Sequence, residues 1–360
     1  MKPVKTKPGD GVRMIPIGCR SHSGLIPYIR TCLEMVYKVS RTDAVLVHLS
    51  KPQPNGAMSA ILKRLASKIP LVLDCDDWEG VGGYAEEMPL MHWRKKVWSL
   101  TVTWLERKIP FYADAVMVAS RTLQRRIAQL GVENKKVFYV PNGIFLQDFP
   151  GISDANEYLP QCEPDQSILY VGSLKAEHDV DLLIKAMRYV LRERKNTKLL
   201  IIGDGPIRER LVVLAKSLGI TEQVLFFGRV TQTSLLKILQ MANIAALPMR
   251  DTRIHRSASH TKLLEYLAAG RCVVAGAVGQ ASDIITNMRT GILVKPGCPE
   301  ALAEALIFAL KNKRLVEALQ ACAKQYATTH LTWDKRIDTV ERAYEFALSR
   351  YRLSSFSVGC

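Results

Sequence analysis

The sequence lacks any uninterrupted apolar stretch long enough to cross a bilayer, and its amino terminus lacks the apolar segment of a secretion signal. We therefore expect a cytoplasmic chain without a membrane span. The eight cysteines are scattered, with no CxxC pair and no Cys/His spacing suited to zinc, so reduced thiols and no metal site are expected. With 360 residues, 48% of them apolar, the chain is long enough for two domains.

Acidic residues are scarce relative to basic ones. The chain has 34 Asp and Glu against 50 Lys and Arg, which gives a formal net charge of +16. Such a balance favours a partner with negative charge, which leaves nucleic acid, a phospholipid surface or a phosphorylated small molecule. The lysines are dispersed and no basic motif is interleaved with aromatic residues, so nucleic acid is not the expected partner.

Short apolar runs separated by amphipathic stretches are typical of parallel α/β sheets. In the first half of the chain they predict strands at 13–18, 44–49, 71–73, 115–118 and 137–140. After a predicted linker at 151–166, a second series predicts strands at 168–171, 198–202, 224–227, 244–247, 272–275 and 291–294.

These two series predict an α/β fold with two Rossmann-like, doubly wound parallel sheets and a ligand cleft between the carboxyl ends of their strands. We expect an N-terminal domain over 1–150 and a C-terminal domain over 165–330. Apolar residues at helical spacing predict a terminal helix over 333–352, which would pack on one or both domains.

Gly203 and Gly205 follow the predicted strand 198–202 and precede a helix predicted over 207–218. Glycines here let the backbone approach a ligand closely, and a helix N-terminus offers free N–H groups to an anion. An ordinary strand-to-helix turn explains the same residues, so this motif alone does not decide between the two.

A stronger pattern lies in the segment 255–270, HRSASHTKLLEYLAAG, where small hydroxyl residues open a predicted helix. Its first N–H groups and its positive end would stabilise a diphosphate, and Lys262 and Arg256 add positive charge. Glu265 lies one turn inside the helix, where a carboxylate can accept two hydrogen bonds from a ribose diol. The alternative for Glu265 is a glutamate on an ordinary helix surface.

The first half contains three carboxylates just past a predicted strand, in the sequence LDCDDW at 73–78. Open α/β sheets place catalytic groups at this edge, so Asp76 is a candidate catalytic residue. Two alternatives remain open: the acids cap the next helix, or Asp74 and Asp76 form a DxD motif for a divalent metal.

Taken in order, these motifs resemble the retaining glycosyltransferases of family 4, which have the two-domain GT-B fold. The segments that carry the resemblance are YVPNGI at 139–144, LYVGSL at 169–174, IGDGP at 202–206, FGRV at 227–230 and EYLAAGRCVVA at 265–275. The resemblance implies a nucleotide-sugar donor. It places the ribose on Glu265 and the base near the backbone of Arg229. The donor diphosphate would lie near Gly172 and the segment Ser259, His260, Thr261, Lys262 and Leu263.

Several positions depart from the family pattern. Ser257 stands where the family has a glutamate that contacts the donor sugar, and Ser173 and His178 stand where it has an arginine and a lysine for the diphosphate. Lys175, Lys262 or Arg256 are the candidate replacements for those cations. Asp76 falls where a histidine often lies close to the transferred sugar, and the usual glycine-rich first loop is reduced to residues 19–24.

The resemblance implies transfer of a sugar from a uridine or guanosine diphosphate sugar to an acceptor hydroxyl, with retention at the anomeric carbon. Lys262 would stabilise the leaving diphosphate, Asp76 would act on the acceptor or the sugar, and the domains would close about Asn142 and Gly143. Neither a cofactor nor a metal is required. Because of the departures, two alternatives stay open: a glycosyltransferase-like binding subunit without activity, and a nucleotide-sugar epimerase of the same fold.

The acceptor would be a sugar, a polysaccharide or a lipid-linked molecule. The first 150 residues contain 22 Lys and Arg against 13 Asp and Glu. Within them, the segment 91–108 combines Trp93, Trp98 and Trp104 with clustered basic residues on a predicted helix. Such a helix can lie at an anionic membrane surface, which would make the protein peripheral to the membrane. The alternative is an ordinary helix whose tryptophans belong to the core.

Overall fold

The computed structural model describes residues 25–88, 90–149 and 166–356. The strand predicted at 13–18, the loop at 19–24 and nearly all of the predicted linker at 151–166 lie outside these residues. The described chain divides into two compact units. Unit 1 comprises residues 25–118, 124–139 and 340–356, and unit 2 comprises residues 119–123 and 140–339, in each case where they are described.

Unit 1 is built on a parallel four-stranded sheet of order β1-β2-β3-β4. The strands are β1 (Val47–Ser50), β2 (Leu71–Cys75), β3 (Ala115–Val118) and β4 (Val137–Tyr139). The helices are α1 (Leu25–Ser40), α2 (Pro54–Ser67), α3 (His92–Tyr112), α4 (Arg121–Gln129) and the last part of α13 (Asp334–Phe356). All residues of β3 are buried, as expected for a central parallel strand covered on both faces.

The end of the chain returns to unit 1. In α13, Tyr344 lies against β1, where its hydroxyl and His48 Nδ1 are 2.8 Å apart. Phe346 packs on Phe138 of β4, with ring centroids 5.7 Å apart. These contacts tie the terminal helix to both edge strands of the unit 1 sheet.

Unit 2 contains a parallel six-stranded sheet of order β10-β9-β8-β5-β6-β7. Its strands are β5 (Ser167–Val171), β6 (Lys198–Ile202), β7 (Val224–Gly228), β8 (Ile244–Leu247), β9 (Cys272–Gly276) and β10 (Ile292–Val294). Its helices are α5 (Val180–Glu193), α6 (Arg208–Ser217), α7 (Gln232–Met241), α8 (Arg253–Ser257), α9 (Thr261–Ala268), α10 (Gln280–Ile284), α11 (Pro299–Lys311) and α12 (Lys313–His330).

Alternate residues of the unit 2 strands belong to two separate cores. Leu169 and Ile202 pack in one core, whereas Ile168 and Ile201 pack in the other. Successive side chains of a strand point to opposite faces, so the sheet is covered by helices on both sides. This is the doubly wound arrangement that the sequence predicts.

Each predicted strand within the described residues is confirmed, with ends that shift by three residues at most. Two parallel-sheet, Rossmann-like folds are therefore present. In unit 2 the pairing aligns the carboxyl ends of neighbouring strands, since Val171 lies beside Ile202 and Ile202 beside Gly228. The turns that follow β5, β6 and β7 consequently lie together at one edge of the sheet.

Candidate functional site

Glycines shape the turns at this edge of unit 2. Gly172 and Gly203 follow β5 and β6 with φ of 153° and 138°, which side chains rarely adopt. A Cβ on Gly203 would lie 1.9 Å from the carbonyl oxygen of Gly172, so glycine is required for the two turns to approach each other. The fold therefore requires glycine at position 203 for its own packing, and the close approach of a ligand to Gly203 and Gly205 stays a prediction.

Helix α9 is held against β5 by Tyr266, whose hydroxyl accepts a hydrogen bond of 2.7 Å from the amide of Val171. This contact places the first turn of α9 over the turn after β5. A Cβ on Gly172 would be 2.2 Å from Lys262 Nζ, which means that the lysine side chain lies directly over the glycine. Lys262 Nζ also donates a 3.1 Å hydrogen bond to the Tyr170 hydroxyl.

Lys262 and His178 share this small space, with 3.4 Å between Lys262 Nζ and His178 Nδ1. Burial lowers the pKa of Lys262 to about 8. Burial, reinforced by the Lys262 charge, lowers the pKa of His178 to about 4. The site therefore holds cationic groups whose protonated forms are destabilised in the free protein, and an anion beside them would reverse that effect.

Ser173 fixes the His178 ring. The carbonyl oxygen of Ser173 is 2.6 Å from His178 Nδ1, and the Ser173 hydroxyl is 3.1 Å from the same nitrogen. A carbonyl only accepts, so neutral His178 carries its proton on Nδ1. These two departures from the family pattern thus form one hydrogen-bonded pair beside Lys262.

The loop before α9 is anchored through Ser259, which is buried. Its hydroxyl accepts hydrogen bonds from the Asn142 amide at 3.0 Å and from Gln280 Nε2 at 2.8 Å. The amide of His260 donates to Gln280 Oε1, and burial lowers the pKa of His260 to about 3. Ser259 and His260 therefore hold the loop in place through their own partners.

Two backbone N–H groups at the start of α9 are available to a ligand. In the described part of the chain, no acceptor is bonded to the amides of Thr261 and Lys262, whereas the amide of Leu263 donates to His260. The Leu263 side chain is fully buried in the core. The predicted anion site at this helix N-terminus thus consists of the amides of Thr261 and Lys262 and the Lys262 side chain.

Glu265 lies one turn further along α9 and is half-buried. Burial raises its pKa, while the nearby Lys262 charge opposes that shift. Among the described residues, only burial and the charges of Lys262 and Asp148 act on this carboxyl group, and no hydrogen bond does. A partly buried carboxylate without a partner is suited to accept hydrogen bonds from a ligand, as predicted for a ribose.

Three predicted residues have partners of their own. Ser257 is buried at the end of α8, where its hydroxyl donates to the carbonyl of Arg253 at 2.8 Å. Arg256 is exposed and forms a two-pronged ion pair with Asp251. Lys175 is exposed, with its Nζ 3.5 Å from the Glu177 carboxylate.

Gly205 and Arg229 lie at the next turns of the same sheet edge. Gly205 belongs to the turn after β6, and Arg229 is exposed directly after β7. Beside them is a cavity of about 460 Å³, a volume sufficient for a nucleobase. The cavity is lined by Asp204, Gly205, Arg208, Glu209, Phe226, Phe227 and Gly228.

A buried ionic network that the sequence reasoning missed supports the His178 turn. Asp179 has a φ of 54° and accepts hydrogen bonds from the Arg250 amide at 2.6 Å and from His255 Nε2 at 2.8 Å. Arg250 also donates to Asp181 at 2.7 Å. This network fastens the turn that carries His178 to the segment that leads into α8 and α9.

In unit 1, Asp76 follows β2 as predicted. Burial, together with the neighbouring Asp77, raises its pKa to about 6. Lys51 pairs with Asp77 at 2.6 Å and with Glu79 at 2.9 Å. In the described chain the Asp76 carboxylate has no such cation, so it is the acid of this cluster best suited to take up and release a proton near neutral pH.

The loop that carries Asp76 is held in place by the ion pair of Glu106 and Arg126. Glu106 of α3 is buried and accepts hydrogen bonds from the amides of Glu79 at 2.8 Å and Gly80 at 3.1 Å. Arg126 pairs with Glu106 at 2.8 Å and lies 3.5 Å from the centre of the Trp78 ring. The loop is therefore fixed through its backbone, and nothing in the sequence pattern indicated this.

In the part of the chain that the structure describes, no group of three or more His, Cys, Asp and Glu side chains is arranged to hold a metal ion. Among the helices within residues 25–88, 90–149 and 166–356, none is both long enough and apolar enough to span a bilayer.

Comparison with known families matched both halves of the chain. Residues 158–327 match the family described as "Glycosyl transferases group 1", and residues 5–143 match the "Glycosyl transferase 4-like domain". The carboxyl-terminal match contains the turns after β5, β6 and β7 and the whole of α9.

Curated relatives are also glycosyltransferases. An uncharacterized glycosyltransferase of Methanocaldococcus jannaschii is 31% identical over 186 residues, which cover 52% of this chain and 46% of that relative. The GDP-mannose-dependent alpha-(1-6)-phosphatidylinositol monomannoside mannosyltransferase of Mycolicibacterium smegmatis is 26% identical over 236 residues, covering 64% and 62%. The chain thus spans about half the length of the first of these relatives and under two thirds of the second.

Solved structures show the same fold. Anabaena HepE in complex with UDP and glucose has a TM-score of 0.72 at 15% identity, covering 89% of this chain and 83% of that one. WaaG, a glycosyltransferase involved in lipopolysaccharide biosynthesis, has a TM-score of 0.70 at 20% identity, covering 91% and 85%. The two glycosyltransferase family models together match residues 5–143 and 158–327, which are most of the chain, and the solved structures share its GT-B fold; the chain therefore belongs to the glycosyltransferases that these two models describe.

Proposed function

We propose that the chain transfers a glycosyl group from a uridine or guanosine diphosphate sugar to an acceptor hydroxyl, with retention at the anomeric carbon. The observation that carries the proposal is the position of Lys262. Its ammonium lies over Gly172 at the N-terminus of α9, where two free amides and a helix dipole also favour an anion. HepE, which has the same fold, binds UDP and glucose, and the mycobacterial relative is GDP-mannose-dependent.

In the proposed reaction, the bond between the anomeric carbon of the sugar and the diphosphate oxygen breaks, and the leaving diphosphate gains negative charge. The acceptor oxygen forms the new bond to that carbon, and its proton passes to the departing diphosphate. Lys262 and the amides of Thr261 and Lys262 stabilise that charge, because they are fixed before the reaction starts. Glu265 holds the donor ribose, and the base occupies the cavity beside Arg229. Since the protein supplies the positive charge, the proposed transfer requires no metal or other cofactor.

Asp76 is the proposed residue of unit 1 in the reaction. With a pKa of about 6, it is ionised at neutral pH, so it can orient an acceptor hydroxyl or stabilise a cationic sugar. The proposed acceptor is the hydroxyl of a sugar, a polysaccharide or a lipid-linked molecule. We further propose that the protein acts in the cytoplasm and meets a lipid-linked acceptor at a membrane surface.

A screen of nucleotides by thermal unfolding tests the donor class. UDP or GDP should raise the melting temperature more than the matching nucleoside does, because a ligand that binds only the folded state stabilises it by mass action. The anomeric configuration of the product, read by NMR from the sugar proton coupling, tests retention. An inverted product would refute the stereochemical part of the proposal.

A second candidate is a binding subunit without transferase activity. It is favoured by Ser257, which replaces a sugar-contacting glutamate and uses its hydroxyl within its own helix. The two candidates differ in one result. A binding subunit would take up a nucleotide sugar without releasing the nucleotide in the presence of any acceptor, whereas a transferase would release it with a suitable one.

A further inference from the structure

Helix α3 of unit 1 carries apolar side chains on two opposite faces, one buried and one exposed. One face packs into the unit through Ser99, Val102, Glu106 and Ile109, which recur at intervals of three and four residues. A globular helix usually needs only one such face, and its opposite side is then polar. In α3 the opposite side is apolar as well.

This second face, which we call the outer stripe, consists of Trp93, Val97, Leu100, Trp104 and Phe111. All five side chains are exposed, Trp93 and Trp104 each to 59%. Their spacing of three, four and seven residues places them in one line along the helix. Removing apolar surface from water is favourable by roughly 25 cal/mol per Å², so a line of exposed apolar side chains favours a partner that covers it.

Cations flank the outer stripe on both sides. Arg94, Lys96, Arg107 and Lys108 are exposed on α3. The acidic residue of this helix, Glu106, is buried on the other face and paired with Arg126. The exposed side of α3 therefore combines indole rings with positive charge and has no exposed carboxylate of its own.

The neighbouring helices of unit 1 also expose apolar side chains. Helix α1 exposes Ile29, Leu33 and Tyr37. Helix α2, which packs against both α1 and α3, exposes Leu62 and Leu65. The edge-to-face contact of Tyr28 with Trp98, at 5.6 Å, joins α1 directly to α3.

We propose that the outer stripe of α3 docks on an anionic phospholipid bilayer. Tryptophan side chains are suited to headgroup depth, and the flanking lysines and arginines match the charge of anionic lipids. A second copy of the chain fits less well, because it would bring two sets of exposed cations together. The proposal does not depend on the donor chemistry of unit 2.

Flotation with vesicles tests the docking surface. Vesicles of phosphatidylcholine are compared with vesicles that also contain phosphatidylglycerol, at low and high salt. We expect the whole chain to bind the anionic vesicles only and to dissociate in high salt. Replacing both indoles (Trp93→Ser with Trp104→Ser) or two flanking cations (Lys96→Gln with Lys108→Gln) should weaken binding roughly tenfold or more.

Control variants remove exposed apolar side chains or exposed cations from unit 2. Val213→Ser with Phe308→Ser removes exposed apolar side chains, and Lys195→Gln with Lys216→Gln removes exposed cations. These variants should bind vesicles like the unaltered chain. All variants alter exposed positions, so we expect their melting temperatures and UDP affinities to equal those of the unaltered chain. These two measurements distinguish a loss of membrane docking from a loss of the donor site.

Two results would overturn the proposal. The first is binding that does not rise with phosphatidylglycerol, or that falls as much in the controls as in the α3 variants. The second is a chain that does not bind vesicles and is a dimer by light scattering without lipid. The double variant Trp93→Ser, Trp104→Ser would then be a monomer. That outcome would assign the outer stripe to a second copy of the chain.

Discussion

The ammonium of Lys262 lies over the backbone of Gly172, so close that a single methyl group on the glycine would meet it at 2.2 Å. This relationship joins two parts of the chain that are far apart in sequence. In the proposed donor site, Lys262 takes the place of the family's usual cations, which Ser173 and His178 lack. The proposed charge for the diphosphate thus comes from α9 and not from the turn after β5.

Replacement of Lys262 by alanine should weaken binding of UDP or GDP at least tenfold, because a charged hydrogen bond contributes about 1.5–3 kcal/mol. Affinity for uridine or guanosine should change little, since a nucleoside has no diphosphate. Calorimetric titration measures both. Lys216→Ala on the exposed face of α6 is the control, and equal losses for nucleotide and nucleoside would assign Lys262 a structural role.

The affinity for UDP should also depend on pH through Lys262. Its pKa of about 8 in the free protein means that it loses its proton above pH 8, whereas the bound diphosphate favours the protonated form. Binding then takes up a proton, and affinity should fall by up to roughly tenfold per pH unit as the pH rises above 8. The phosphate itself stays ionised there, because its second pKa lies near 6.

Lys262→Arg separates this effect from other titrations. Arginine keeps its charge over the same range, so the affinity of this variant should be nearly independent of pH between 7 and about 9. An unaltered pH profile in Lys262→Arg would show that another group takes up the proton.

Glu265→Ala should weaken nucleotide binding by roughly 1.5–3 kcal/mol through loss of the ribose hydrogen bonds. The 2′,3′-dideoxy nucleotide should bind the unaltered chain and the variant equally, because it lacks the diol. Glu222→Ala, at the opposite end of β7, is the matched control. If Glu265→Ala also lost its affinity for the dideoxy nucleotide, the cause would be misfolding and not the loss of ribose recognition.

Asp76→Asn should lower turnover and leave the dissociation constant of the donor within about twofold. In the unaltered chain, turnover should rise as pH increases through about 6, because the carboxylate is the active form. Release of nucleotide from the sugar donor measures the turnover and its pH dependence, and calorimetric titration measures the dissociation constant. Asp43→Asn, at an exposed position of unit 1, is the control, and a fully active Asp76→Asn chain would exclude the residue from catalysis.

The strands of both sheets were predictable because parallel strands buried on two faces appear as continuous apolar runs. The runs at 115–118 and 168–171 are buried throughout in the fold, and no polar residue interrupts them. The positions of the candidate donor-site residues were partly predictable for a different reason. Gly172, Lys262 and Glu265 belong to short local motifs, and the fold places the first two in contact.

Long-range polar partners were not predictable in this way. Asp179, Arg250 and His255 form one network, yet Asp179 lies 71 residues before Arg250 and 76 residues before His255 in the sequence. Arg256 was expected to serve the diphosphate, and the fold gives it Asp251 as an ion-pair partner. Charge and residue type alone do not reveal which cation already has an acid beside it.

Helix α3 shows another limit of periodicity. Apolar residues on two opposite faces leave no clear amphipathic pattern, so the sequence does not decide which tryptophans are internal. The interpretation that all three belong to the core is wrong for Trp93 and Trp104, which are exposed, whereas Trp98 is partly buried against Tyr28. Only the packing of α3 on unit 1 distinguishes its two faces.

The most direct test of the account is calorimetric titration of the unaltered chain at pH 7 with UDP and GDP, each compared with its nucleoside. We expect at least one of the two diphosphates to bind saturably to one site, at least tenfold more tightly than the matching nucleoside. Absence of binding by both, or equal affinity for diphosphate and nucleoside, would contradict a diphosphate site at Gly172 and Lys262.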